Sequence, residues 1–369
     1  KDPRVLSLVG NEPKGYLRSI RCPDFGKHWE KAAEDEITNL RTNGTFELVP
    51  IWKAQKLKQD KPNEVSLGYT HFVNKCKTMD NGNGESVLDK LKSRLVYQGN
   101  CSTRFVDWLT SHSPACKMDS FRMLMALAAT FNLFAFCGDW VAAFLQTGSP
   151  NNHMYARFPN GYKMVENGVE MCMHLKRNLY GMVDAARNWF QTLEHWMMHE
   201  CPMKFTQLGS DQCVFYCQEG ADFTILFLYV DDLGVLTTCT EMKNKLFKDI
   251  KGRFEFEDKG ELKYFLGISV VRDMTKKVLT LDMKAYIKDK LKLFNLEGKK
   301  AYATAIIDED LVQPGEMLSA ERSTEFRGMV GAFLWATIVR PDISHAVGKL
   351  SQHMAKPTDG WYKQAQRCW

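Results

Sequence analysis

The chain has 369 residues, enough for two or three lobes at roughly 100 to 200 residues per domain. Hydrophobic residues make up 44% and charged residues 25%, the composition of a folded globular protein, which excludes a wholly disordered chain. The net charge of +5 permits a polyanionic partner without demanding one, and no apolar run approaches the roughly 20 residues that cross a bilayer, so no membrane association is expected. Eleven cysteines without a CxxC pair suit a reduced intracellular compartment better than a disulfide framework. The chain starts at Lys1 and stops in helical-looking KQAQRCW, so it is expected to be a piece of something longer.

Residues 28–43, HWEKAAEDEITNLRTN, place Trp29, Ala32, Ala33, Ile37 and Leu40 on one helical stripe, with Asn43-Gly44 as a stop. The segment HFVNKCKTMDNGNGESVLDKLKSRLVYQG alternates polar and apolar residues around an Asn-Gly repeat and predicts a hairpin. Two-residue spacing puts Lys75 with Lys77 on one face of its first strand, and Lys92 with Arg94 on one face of its second. That face is either a basic surface for a polyanion or a solvated edge that lysines protect from aggregation. SFRMLMALAATF predicts a buried helix capped by Asp119 or Ser120. Leu133 to Cys137 predict a buried strand that ends in one acid, Asp139.

DAARNWFQTLEHWMMHE predicts a helix with Trp189, Leu193, Trp196 and Met197 on one stripe. Its His195 and His199 have the spacing of a metal pair, but HWMMH lacks the glutamate of a zincin. Cys213 and Cys217, on one face of a strand, read as core thiols rather than zinc ligands. FKDIKGRFEFEDKGELKYFLGISV passes from helix-like to strand-like patterning. Residues 284–295 and 323–355 predict further helix, the second interrupted at Arg340-Pro341. No repeat or low-complexity linker divides the chain, so its lobes are expected to form from a chain that weaves between them.

The stretch FTILFLYVDDLGVL sets Asp231 and Asp232 side by side between apolar runs. Buried unpaired charges cost several kcal/mol each, so such carboxylates must take up protons or find cations. A tight turn between ILFLYV and GVLTT directs both toward one site, and Asp139 at the end of another strand can come alongside in a sheet. Three hard oxygen donors favour Mg²⁺ or Mn²⁺ over Zn²⁺. Two such ions roughly 3.5 to 4 Å apart serve polymerase or nuclease chemistry, whereas the plain alternative is a polar hairpin tip.

LYVDDL closely resembles the YVDD-type active-site box of reverse transcriptases, and the other segments resemble the copia-type LTR retrotransposon branch, in order over nearly the whole chain. EPKGYLRSI and WEKAAEDEITNLRTNGTFELV resemble its N-terminal region, KSRLVYQG its fingers box, and DWVAAFLQTG its first aspartate box. LKRNLYGMVDAARNW resembles its glycine box, LKYFLGI its primer grip, and VGAFLWATIVRPDISHAVGKLSQHM the segment leading toward ribonuclease H.

The resemblance implies an α+β right-hand polymerase fold. It has an N-terminal extension (1–27), fingers (28–115 and 151–174) and a palm with an antiparallel sheet (116–150 and 175–268). A helical thumb (269–322) and the start of a connection segment (323–369) follow. It implies Asp139, Asp231 and Asp232 as catalytic metal ligands for two Mg²⁺ ions, Mn²⁺ substituting, with Asp139 and Asp231 bridging. Lys92 and Arg94 are implied to hold the nucleotide triphosphate, Phe144 to exclude a 2′-hydroxyl as a steric gate, and Tyr180 and Gly181 to let backbone approach nucleotide and template. Phe265, Leu266 and Gly267 are implied to seat the primer end. The implied partners are a primed RNA or DNA template, deoxynucleoside triphosphates, and the ribonuclease H and integrase segments of a parent polyprotein. The implied setting is intracellular, a cytoplasmic virus-like particle with a possible nuclear stage.

Three positions depart by losing positive charge: Val183 in the glycine box, Gln98 in the fingers box and Val141 in the first aspartate box. Asp184 and Ala186 also differ, Asp184 being either a helix cap or an acid that weakens polyanion binding. Weak, strongly salt-sensitive template binding follows. Lys259 is a candidate proton donor to pyrophosphate where the family commonly has leucine. The functions kept open are an active polymerase, a decayed or domesticated copy that binds nucleic acid without synthesis, and a Mg²⁺-dependent nuclease. After residue 342 no second acidic cluster resembles a ribonuclease H site, so template degradation is not expected.

Overall fold

The computed structural model describes residues 8–80, 86–102, 110–148, 153–299, 302–307, 312–313 and 315–368. The helix Gly26–Thr42 buries Trp29, Ala33, Ile37 and Leu40, while Ala32 is left at the edge of that stripe, partly exposed. It packs on a six-stranded sheet built from β1 (Phe46–Pro50), β2 (Val65–Asp80), β3 (Ser86–Tyr97), β5 (His153–Arg157), β6 (Val165–Glu166) and β7 (Val169–Leu175). The order is β1-β7-β5-β2-β3 with β6 beside β7, and β2 with β5 is its parallel pair. The predicted hairpin is β2 with β3; its Asn-Gly tip lies outside the described residues.

The second six-stranded sheet is antiparallel throughout, in the order β12-β4-β11-β10-β9-β8. Its strands are β4 (Phe134–Trp140), β8 (Thr206–Leu208), β9 (Asp211–Glu219), β10 (Asp222–Tyr229), β11 (Asp232–Thr237) and β12 (Phe256–Glu261). β11 is buried on both faces from Leu233 to Thr237, which is why GVLTT follows ILFLYV with so little polar alternation. The helices Met118–Thr130, Ala185–His195 and Thr240–Arg253 pack Phe121, Trp189, Leu193 and Leu246 into the same core. Trp196 and Met197 join them from a π-helical turn, Trp196–Glu200, that continues the second helix.

Two local expectations fail here. β4 is not a wholly buried strand: Phe134 is exposed, and Ala135, Phe136 and Cys137 are only partly covered. Phe134 and Phe136 stack on each other above a cavity of about 420 Å³ lined also by Tyr264, Val271 and Arg272. Neither Asp119 nor Ser120 caps the helix that follows Lys117; Asp119 lies in the first turn and pairs with Arg122.

A three-stranded sheet follows, formed by β13 (Tyr264–Phe265), β14 (Ile268–Asp273) and β15 (Val278–Asp282). Its Ile268 and Val270 belong to the same core as the second sheet, so a boundary between 268 and 269 cuts a packed unit. A boundary between 322 and 323 is also untenable, because it falls inside the helix Ala320–Ala336. Phe294 and Leu296, just past the helix Lys284–Leu293, share one core with Phe326, Phe333, Val347, Leu350 and Trp361. Ser319 caps the long helix by accepting the Arg322 N–H, and a turn ending in Pro341–Ile343 separates it from Ser344–Gln352. All eleven cysteines are free, and burial pushes the Cys213 thiol up to about 12. Among the described residues no helix is long and apolar enough to cross a membrane.

Candidate active site

The turn between β10 and β11 is two residues long, since Tyr229 pairs with Asp232. Val230 takes φ 58, a left-handed conformation that a β-branched side chain strongly disfavours. The indole N–H of Trp189 holds it there, donating to the Val230 carbonyl oxygen at 2.9 Å. Asp231 is the second turn residue, and Asp232 opens β11.

Antiparallel register sets Asp232 directly opposite Asp139, and Asp139 directly opposite Glu257 on its other side. Residues paired across adjacent strands share a face, so a row of three acids crosses β11, β4 and β12 with Asp231 at its end. Burial pushes the Asp232 carboxyl up to about 6, and the charges of Asp231 and Asp139 add to that. Burial also raises Asp139, opposed by the Lys259 ammonium and reinforced by Asp231 and Glu257. Lys259 Nζ lies 2.5 Å from Glu257 and 4.0 Å from Asp139. As the side chains stand, no three His, Cys, Asp or Glu groups among the described residues gather closely enough to hold an ion. In kind, the all-carboxylate donor set of the aspartates suits a hard divalent cation.

A second cluster bridges the two large sheets. The Arg94 guanidinium lies over the Tyr180 ring at 4.2 Å, and that ring meets Phe144 edge-on with centroids 5.0 Å apart. Burial raises the Tyr180 hydroxyl, with Arg94 opposing and the charges of Asp231 and Asp139 adding to the rise. Lys92 is lowered by burial and by neighbouring Arg94, while Glu36 beneath the hairpin accepts the Leu95 N–H at 3.1 Å. Gly181 has a structural reason to be glycine. Its φ is 86, and a Cβ there would lie 2.2 Å from the Tyr97 carbonyl oxygen. The Tyr97 N–H in turn donates to the Tyr180 carbonyl at 2.8 Å, tying the end of β3 to this loop.

Leu266 and Gly267 form a two-residue turn with φ 53 and 78. Phe265 is buried, stacked on Phe121 at 5.2 Å and edge-on to Phe227 at 5.0 Å. A cavity of about 420 Å³ joins this turn to the acids, lined by Asp139, Asp232, Lys259, Lys263 and Tyr264 among others.

Residues 57–308 match the family described as "Reverse transcriptase (RNA-dependent DNA polymerase)". The chain belongs to that family. It is 29% identical over 365 residues to the "Retrovirus-related Pol polyprotein from transposon TNT 1-94" of Nicotiana tabacum, covering 96% of this chain and 26% of that protein. It is 28% identical over 356 residues to the corresponding polyprotein from transposon RE1 of Arabidopsis thaliana, covering 96% and 23%. These are copia-type relatives, and this chain spans about a quarter of their length. A solved foamy viral protease-reverse transcriptase in complex with double-stranded DNA is 10% identical with a TM-score of 0.38, covering 91% of this chain and 47% of that one. The architecture of this chain is α+β, two six-stranded sheets and a three-stranded sheet packed with helices.

Several features of the site escaped the sequence pattern. Asp184 neither caps with its side chain nor projects into a groove: it occupies the N-cap position, is buried, and burial raises its carboxyl. An acid shielded in this way gives no reason to expect weakened polyanion binding. Glu257 gave no signal, because membership of the acid row depends on β12 pairing with β4. The helical stripe marks Trp189 as a core residue, and its bond to Val230 depends on the turn's position. Lys90 stands opposite Lys77 in the hairpin and extends its basic face.

Proposed function

We propose that this chain is the RNA-directed DNA polymerase region of a copia-type element, adding deoxynucleotides to a primer 3′-hydroxyl on an RNA or DNA template. The observation that carries this is Asp232 opposite Asp139, with Asp231 in the adjoining turn. Asp139, Asp231 and Asp232 are the residues that would hold two Mg²⁺ ions, Mn²⁺ substituting. When bound, such ions supply activation of the attacking hydroxyl and charge stabilisation at the leaving oxygen.

The protein's own groups supply position. Lys92 and Arg94 meet the triphosphate, Arg94 with a planar fork that suits phosphate oxygens and is already oriented by the Tyr180 ring. Phe144, braced by Tyr180, presents a ring edge where a ribose 2′-hydroxyl would need room. The Leu266-Gly267 turn, anchored by buried Phe265, seats the primer end. In this reading the first sheet is the fingers and the second the palm. The thumb and connection form one helical unit around the core that contains Phe294 and Phe326. The copia-type relatives being Pol polyproteins, we assign this chain ribonuclease H and integrase segments as neighbours in a parent polyprotein.

The test is extension of a DNA primer on an RNA template with Mg²⁺ and deoxynucleotides, beside Asp231→Asn. Extension by the parent chain and none by the variant is expected. A parent chain that extends nothing sinks the assignment.

A further inference from the structure

β12 is irregular where it passes the acids. Asp258 pairs with Gly138 and the next pair is Gly260 with Cys137, so Lys259 is the extra residue of a bulge. The bulge is fixed on both sides. Gly260 takes φ 78 and donates its N–H to Asp258 Oδ1 at 2.8 Å, and the other Asp258 oxygen pairs with Lys243 of the helix Thr240–Arg253. Bulges re-aim side chains, and this one delivers Lys259 to Glu257 and Asp139. Among the described residues Lys259 is the cation within ion-pair distance of Asp139.

We propose that Lys259 is a tethered counter-ion that competes with divalent cations for Asp139, Glu257 serving as its resting partner when a metal enters. The proposal rests on the assignment of Asp139 as a metal ligand made above. Both contacts are partly exposed, so Lys259 exchanges between them with little desolvation. The closer contact, to Glu257, leaves Asp139 only partly neutralised; a doubly charged ion therefore displaces the ammonium by moving it a short way, not by expelling it. The same contacts argue against Lys259 as proton donor to pyrophosphate. Its ammonium is held between Glu257 and Asp139, and it lines the cavity shared with Tyr264 and Phe265.

The test is Mn²⁺ binding to the full chain without nucleic acid, followed by electron paramagnetic resonance at low salt. Lys259→Leu is expected to tighten binding roughly two- to fivefold, the span of a partly exposed ion pair, and Lys259→Arg to leave it near the parent value. In a double-mutant cycle, Glu257→Gln should weaken binding more in the parent than in the Lys259→Leu background, because in the parent it also returns Lys259 to Asp139. Lys259→Met, checked by its melting transition, repeats the measurement with a stem of similar length. If Asp139→Asn abolishes Mn²⁺ binding while neither Lys259→Leu nor Lys259→Met tightens it, the counter-ion proposal alone is overturned. If Asp139→Asn changes nothing in either background, the metal assignment fails and takes the proposal with it.

Discussion

The indole N–H of Trp189 donates a 2.9 Å hydrogen bond to the carbonyl oxygen of Val230, the residue immediately before the adjacent aspartates. Val230 sits at φ 58, a conformation that costs a β-branched residue on the order of 1 to 3 kcal/mol, so something outside the turn must hold it. Trp189 is itself fixed by edge-on contacts with Trp140 and Phe254. Trp189→Phe keeps much of that packing and removes the donor. The expected outcome is about 1 kcal/mol lost in denaturant unfolding. In primer extension kcat should fall while KM for the nucleotide stays near the parent value, because the bond orients Asp231 and does not bind substrate. An unchanged kcat would leave Trp189 as a core residue only.

Asp232 titrates at about 6 in the folded chain against an ordinary 3.8, so the folded state holds its proton more tightly than the unfolded state does. The stability this group contributes is therefore fully present below pH 3.8 and is lost as pH rises through about 6. The full shift corresponds to about 3 kcal/mol, and solvent access to the partly exposed carboxyl reduces that to about 1 kcal/mol. Asp232→Asn removes the loss. Measured without divalent ions, the variant should be more stable than the parent at pH 7.5 and level with it at pH 3.5. An advantage that stays constant across that range would contradict the assignment.

What the sequence disclosed and what it withheld follow from one distinction. FTILFLYVDDLGVL was legible because strands buried on two faces read as unbroken apolar runs, and a two-residue turn between them must expose what it contains. The stripe of Trp189, Leu193, Trp196 and Met197 was legible for the same local reason. Glu257 and Lys259 were not, because their meaning depends on β12 lying beside β4 and on a bulge set by Asp258 and Gly260. No periodicity within residues 256–261 carries that neighbour's identity. Resemblance singled out Gly181, but the reason for glycine there, the Tyr97 carbonyl, comes from a strand 84 positions earlier in the chain. The buried site of Asp184 was equally invisible, since an acid before a helix reads as a cap whether or not its side chain reaches the backbone.

Phe144 lies against both large cores and meets Tyr180 edge-on, which fixes its ring rather than leaving it free to swing aside. Phe144→Val shortens the side chain and opens space beside Tyr180. The expected outcome is a rise in ribonucleotide over deoxynucleotide incorporation, read as the ratio of kcat/KM values in single-nucleotide extension. Discrimination against one added hydroxyl at a shape-based gate is worth about 1 to 3 kcal/mol, so a change of roughly ten- to a hundredfold is the scale to look for. An unaltered sugar preference would return Phe144 to ordinary packing.

The hairpin sets like charges against one another: Lys75 opposite Lys92, and Lys77 opposite Lys90, with Arg94 on the same face two residues along. Directly opposed like charges destabilise a strand pair; among the described residues Glu12 lies 3.6 Å from Lys75, and the Glu36 charge acts on Lys92 and Arg94. A solvated edge needs lysines but not this register, whereas a nucleic-acid backbone needs a row of them. With Gln98, Val141 and Val183 lacking charge elsewhere, this strip should supply a large share of the salt dependence. Lys90→Ala should therefore lower the slope of log affinity against log salt by roughly 0.7 to 0.9 on a primed template, the value of one phosphate contact. Relief of the repulsion with Lys77 should at the same time leave the folded chain no less stable in denaturant. A slope that does not move would mean that the strip is an edge guard and that template binding lies on another face.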